Sequence, residues 1–278
     1  MGFMSQWKWL YIFLALTLTH SVRAQKILST GVHTGFTIPL TADQGINADA
    51  RYQVRYDIKW APIGFNVALD MGNYGILINP GIVTIGQNFF VANSVGGQIG
   101  VRKIRLVYLQ VPVGAKIRLI DLSFFRVSFT TAISAGYLLN GRDVISHQQS
   151  KMTFPVEVKP QLPPDYIEEY DGVAVPRREN LEIAGKNDYN TFQLFGSFGI
   201  RSDWDVTENT RVSLDLRSNI SILDPRHDDY LQRIKNNLSI YEIYGKRRDI
   251  FVTLTLGVSK IIELEAKRSS QRSRRGRR

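Results

Sequence analysis

From residue 51 to 60 the chain alternates without a break. Tyr52, Val54, Tyr56, Ile58 and Trp60 fall on one side, and Arg51, Gln53, Arg55, Asp57 and Lys59 on the other. A period of two belongs to a β-strand with one apolar and one polar face. The same pattern recurs over 28–40, 103–119, 124–139, 191–201, 211–222 and 250–258, and residues 75–90 form an apolar run interrupted by Gly81 and Gly86. After Gln25 no run of 18 apolar residues occurs, so the pattern predicts no membrane-crossing helix. Alternation alone leaves two folds open. A soluble sandwich buries one face and wets the other, and a membrane barrel with a polar lumen separates the same two faces.

The connections discriminate better. If 50–72 is one bent strand, broken near Pro62 and Gly64, the strands number eight. The links between them then run long and short in turn: 41–49, 91–101, 141–189 and 224–247 are long, whereas those near Gly72–Gly75, Ile120–Ser123 and Ser202–Asn209 are short. Membrane barrels have short turns at the periplasmic end and longer loops outside, with both termini periplasmic at an even strand count. The expected fold is therefore all-β: an eight-stranded antiparallel transmembrane β-barrel of an outer membrane, with long external loops.

The ends fit an exported chain. Lys8 precedes the apolar stretch Trp9–Leu18, and Val22-Arg23-Ala24 offers small residues to a signal peptidase, which predicts a signal peptide over 1–24. The barrel domain is expected over 25–262 and a basic periplasmic tail over 263–278. The net charge of +10 misleads as a global figure, because residues 267–278 carry seven cations and no acid. The body between leader and tail is nearly neutral, which argues against nucleic acid as a partner. With no cysteine, the chain has no disulfide framework, no thiolate metal site and no cysteine nucleophile.

Residues 108–118 read YLQVPVGAKIR. This resembles the tyrosine-leucine-acid-x-proline strand of the PorT-like outer-membrane barrel family of Bacteroidetes-type bacteria, with Gln110 where an acid is common. ILINPGIVTIGQNFF at 76–90, SAGYLLNG at 134–141, residues 192–201 and RDIFVTLTLG at 248–257 resemble neighbouring strands of that family. The resemblance spans most of 28–262. It implies an outer-membrane barrel and, for some members, a part in type IX secretion. The 141–189 loop is longer than usual for the family, and the chain lacks the terminal aromatic often seen in such barrels.

Catalytic patterns are scarce: no HExxH helix, GxSxG elbow or paired-carboxylate spacing is present. His227-Asp228-Asp229 is the one cluster with the makings of a site, and a cation at Asp224, Asp228 and Asp229 lacks ligand-loop spacing. The expected role is non-catalytic, without cofactor or metal: structural or accessory work in envelope or secretion assembly. A barrel enzyme, a small channel and a soluble periplasmic ligand-binding barrel are the alternatives. Facing the lumen, Arg51, Arg55, Asp57, Lys59, Lys116, Arg118, Arg126, Asp215 and Arg217 should form a polar network, since eight strands leave an interior that side chains fill. Outer-membrane lipid and other envelope or secretion proteins are the expected partners. Contact candidates are Glu168, Glu169, Tyr170, Tyr230, Tyr241 and Tyr244 in the two longest loops and Arg274 and Arg275 in the tail. Within 141–189, Val156–Val158 and Leu181–Ile183 are expected to pair as a hairpin.

Overall fold

The structure, a computed structural model, describes residues 26–236 and 238–264. The expected leader at 1–24 and the basic run with Arg274 and Arg275 lie outside the described residues.

In chain order the first strands are β1 (Lys26–Pro39), β2 (Ala42–Asp43), β3 (Tyr52–Arg55), β4 (Lys59–Met71), β5 (Tyr74–Ile78), β6 (Gly81–Ile85) and β7 (Asn88–Ala92). There follow β8 (Gln98–Asp121), β9 (Phe125–His147), β10 (Ser150–Met152), β11 (Ile167–Glu169), β12 (Gly172–Val175) and β13 (Arg178–Ala184). The last are β14 (Phe192–Thr207), β15 (Thr210–Ser221), β16 (Arg247–Arg248) and β17 (Ile250–Leu264). Two short helices, α1 (Gln44–Ala48) and α2 (Asp228–Lys235), lie between strands. None is long and apolar enough to cross a membrane, which says nothing of strands.

Pairing in the main sheet is antiparallel and returns to its start. It runs from β9 through β14, β15, β17, β1 and β4 to β5 and β6, then to β8, which pairs again with β9. Lys26 faces both Leu264 and Met71, so the two ends of the described chain lie beside the β4–β5 turn. That turn is two residues, with Gly72 at φ +64°, a left-handed conformation that glycine adopts without strain. The β8–β9 and β14–β15 turns lie at the same end and are also short.

Two expected strands are broken, for local reasons. Residues 56–58 have no ladder partner, so 50–72 divides: β3 pairs with β7, whereas β4 pairs with β1. Along β8, β5, β6 and β7 together take the place of one strand. Their breaks fall at Pro80, which has no N–H to donate, and at Gly86, with φ +94°. Elsewhere strands run on further than alternation showed. β8 and β9 reach 24 and 23 residues, so the expected long link at 91–101 is only a tight turn after β7.

The expected hairpin within 141–189 is not formed. Val156–Gln161 is a 3-10 turn, where Pro155 and Pro160 remove backbone donors, and Leu181 and Glu182 pair instead with Ile145 and Val144 of β9. A small sheet of β10, β12 and β11 forms beside it. Together with α1, α2 and β16 these segments make an ordered cap over the far end of the main sheet.

Candidate functional site: a filled interior and an external cap

Along the middle of the main sheet the outward side chains are apolar, and towards the short turns the inward ones are polar. On β8 the outward set from Val107 to Leu119 is Val107, Leu109, Val111, Val113, Ala115, Ile117 and Leu119. On β9 it runs from Val127 to Leu139, and on β14 from Phe192 to Trp204. No outward residue in these three stretches carries a charge. Aromatic pairs sit towards the margins: Trp60 with Phe36 and Tyr137 with Phe192 on one side, Trp204 with Phe125 on the other.

Near the short turns the interior is ionic. Lys116 bridges Asp70 at 2.5 Å and Asp203 at 3.1 Å. Arg211 reaches Asp70 and Asp205, each at 2.7 Å, and Arg201 holds Asp203 at 2.9 Å. Arg217 pairs with Asp215 at 2.6 Å, and Arg126 with Asp205 at 2.7 Å. Buried charges are tolerated only when paired in this way. Above them is a cavity of about 50 Å³ lined by His33, Asn79, Gln110, Asp215, Arg217 and Asn219 among others. It is polar and large enough for roughly three waters. Next comes an apolar plug in which Phe195 meets Tyr108 at 5.7 Å and Phe251 at 5.6 Å between ring centres.

A second ionic layer lies beyond the plug, where the sheet meets the cap. Arg102 of β8 binds Asp143 of β9 at 2.5 Å and Glu242 at 3.3 Å. Glu242 also holds Arg226 at 3.0 Å and accepts from the Tyr230 hydroxyl. Arg226 is further tied to Asp224 at 2.9 Å and Asp43 at 3.6 Å, and Arg247 to Asp249 at 3.0 Å. Burial alone would raise the Glu242 carboxyl, but the guanidiniums of Arg102 and Arg226 outweigh it and hold the group below its usual range. Asp224 is lowered against burial by Arg226 in the same way. Desolvation wins at Asp43, which is raised, and it pushes the Tyr230 phenol far above its ordinary value, with Glu242 adding to the shift.

Of the nine residues expected to form the inner network, the structure brings Lys116, Arg126, Asp215 and Arg217 into the first layer. Arg118 sits at the short-turn end, paired with Asp121 at 2.5 Å. The loss of pairing at 56–58 removes Arg51, Arg55 and Asp57 from it. Arg51 is buried against Asp49 under the cap, at 2.6 Å, and Arg55 pairs with Asp57 at 3.1 Å. Lys59 instead donates to the carbonyls of Gly86 and Ile104. Asp70, Arg201, Asp203, Asp205 and Arg211 complete the layer. Their signal was present in the alternation along β4, β14 and β15, in which Arg211 already reads as facing the lumen.

The contact candidates divide. Tyr170 is fully exposed at the β11–β12 turn and Tyr244 is half-exposed. Glu168 and Glu169 are exposed and paired with Lys159 and Lys151. Tyr230 and Tyr241 face inward and are buried, Tyr241 against His147 and Tyr166, so neither offers an outer surface. The His227 cluster is the start of α2: the His227 ring accepts from the Asp229 backbone N–H, and Asp228 and Asp229 fill the first turn opposite Arg233 and Lys235 in the last.

No family model and no curated protein matches the sequence. Among solved structures, the attachment invasion locus protein Ail of Yersinia pestis aligns at 10% identity over 86% of this chain and 99% of its own, with a TM-score of 0.32. Neisserial surface protein A aligns at 7% identity over 84% and 96%, with a TM-score of 0.35. The outer membrane protein OprG of Pseudomonas aeruginosa aligns at 9% over 86% and 96%, also at 0.35. Similarity this loose assigns no family and carries no function to this chain.

Proposed function

We propose that this chain is a non-catalytic outer-membrane protein: an eight-stranded barrel, closed to flow, that carries a folded cap for contact with other envelope proteins. One observation supports the membrane reading above the rest. The sheet is inverted relative to a soluble protein, with charges inside and an unbroken apolar surface outside. Thirteen residues at about 3.3 Å each, tilted by about 45°, span roughly 30 Å, the thickness of a hydrocarbon core. In water so large an apolar surface would drive aggregation. The interrupted β5–β7 counts as one strand in this reading. Cleavage after Ala24, periplasmic termini and a periplasmic tail belong to the same proposal.

The two ionic layers and the plug between them favour a scaffold over a channel, because their large inward side chains pair or pack across the interior. The exposed edge of the cap, with Tyr170, Glu168 and Glu169, is the proposed contact surface. Membership of the PorT-like family, and with it a place in secretion assembly, rests on the short strand motifs alone. Fractionation tests the membrane part: the chain should stay with urea-washed membranes and migrate faster unheated than heated, whereas recovery in the aqueous fraction would refute it. Cross-linking from Tyr170 in native membranes should capture an envelope protein. A steady conductance in planar bilayers would refute the closed interior.

A further inference from the structure

Just past the last apolar outward residues of β8 and β9 the surface changes sign. Arg105 precedes Val107 by two positions and Lys103 precedes Arg105 by two more, all on the outward face. Across the ladder Arg105 stands directly opposite Arg142. Like charges in facing positions weaken a sheet, and nothing in the fold requires them there. Among the described residues neither Lys103 nor Arg105 has an acidic partner, and Arg142 has only Glu182 at 3.3 Å, both side chains more than half exposed. Beside them an open groove of about 330 Å³ is lined by Arg55, Lys103, Arg177 and Arg178, with Glu179 as its one acid. Arg55 and Arg178 are paired with Asp57 and Asp165, Arg177 with Glu179 and Arg142 with Glu182, so the charges without an acidic partner are those of Lys103 and Arg105, beside the solvent-exposed Arg142 pair.

We infer that Lys103, Arg105 and Arg142 seat a phosphate group of an outer-leaflet glycolipid, whose acyl chains lie along Val107, Leu109 and Leu139. This rests on the membrane reading proposed above. Arg105 lies about 7 Å along the strand beyond Val107, which places it in the headgroup layer. A phosphate between two facing guanidiniums accepts charge-assisted hydrogen bonds from both and removes their repulsion. Continuity with the apolar surface selects a lipid over a free anion, since headgroup and chains are then bound by one contiguous face.

The test uses the full chain folded in neutral detergent, with lipid A bearing two phosphates as the probe and native mass spectrometry as the readout. Each cation near an anionic headgroup strengthens attachment about fivefold, so Lys103→Gln/Arg105→Gln/Arg142→Gln should weaken lipid retention on the order of a hundredfold at low salt. Arg105→Lys/Arg142→Lys should keep most of it. All three positions are exposed, so the heat-dependent gel shift should not change. Equal retention by the triple glutamine variant, or of dephosphorylated lipid A by the native chain, overturns the inference alone. Competition by inorganic phosphate at concentrations matching the lipid reveals a free-anion site and overturns the lipid assignment. A chain that folds without partitioning into detergent or membrane overturns the membrane reading and this inference together.

Discussion

The two ionic layers of the interior use the same residue types but come from opposite kinds of sequence. In the layer near the short turns, Lys116, Arg201, Asp203, Arg211, Asp215 and Arg217 sit on strands; Arg201–Asp203 and Asp215–Arg217 are spaced by two, and Arg211 lies four before Asp215 on the same face. Each acid there has more than one cation within reach. In the layer under the cap, only Arg102 and Asp143 come from long strands. Asp43, Asp224, Arg226, Glu242 and Arg247 arrive from connections far apart in the chain. The first layer is held by the ladder whether or not its charges pair well. The second is itself what holds the cap to the sheet, and Glu242 is its shared point.

That difference orders the expected effects. Replacing Glu242 with Leu removes a buried carboxylate shared by Arg102, Arg226 and the Tyr230 hydroxyl; Arg102 keeps Asp143 and Arg226 keeps Asp224, which holds the cost to about 3 kcal/mol. The cap should open to protease between 148 and 176 while the gel shift of the lower sheet persists. Replacing Lys116 with Met should cost less, about 1–2 kcal/mol of unfolding free energy in urea titration, because Asp70 keeps Arg211 and Asp203 keeps Arg201. Equal losses from the two changes would erase the distinction between the layers.

Acid sharpens it further. Glu242 and Asp224 are lowered in the folded chain, so their contribution is complete above the unfolded carboxylate value near 4 and is lost as pH falls through the lower folded values. Asp43, which is raised, runs the other way and offsets part of this. Protection of the amides in 224–246, taken relative to their intrinsic exchange rates, should therefore fall between pH 5 and about 3 before that of β14 and β15 does. The smallest effect is on the surface. Tyr170→Ala should alter stability by less than about 0.5 kcal/mol yet lower cross-linking to an envelope partner.

Legibility in the sequence follows the same division. Strands whose side chains alternate could be read directly, and so could the inward Lys116, Arg126, Asp215 and Arg217. The break at 56–58 was not visible, because the alternation of Arg51–Trp60 continues straight through it while the ladder does not. Arg51 was therefore expected inside and lies under the cap with Asp49. For Tyr230 and Tyr241 the sequence left packing on the 141–189 loop and contact with a neighbouring protein both open, since only tertiary contacts with Glu242, His147 and Tyr166 bury them. A loop's partners carry no period, so the second layer left no pattern to find.

The central claim is that the outward face of the sheet meets lipid. The chain has no cysteine, so single cysteines report cleanly. With the protein in sealed vesicles, Val113→Cys and Ile133→Cys should resist a charged, water-soluble maleimide, although both native side chains are at least half exposed, and Tyr170→Cys should react at once. Labelling of Val113→Cys and Ile133→Cys as fast as Tyr170→Cys would mean that the apolar face is in water, and would contradict the account.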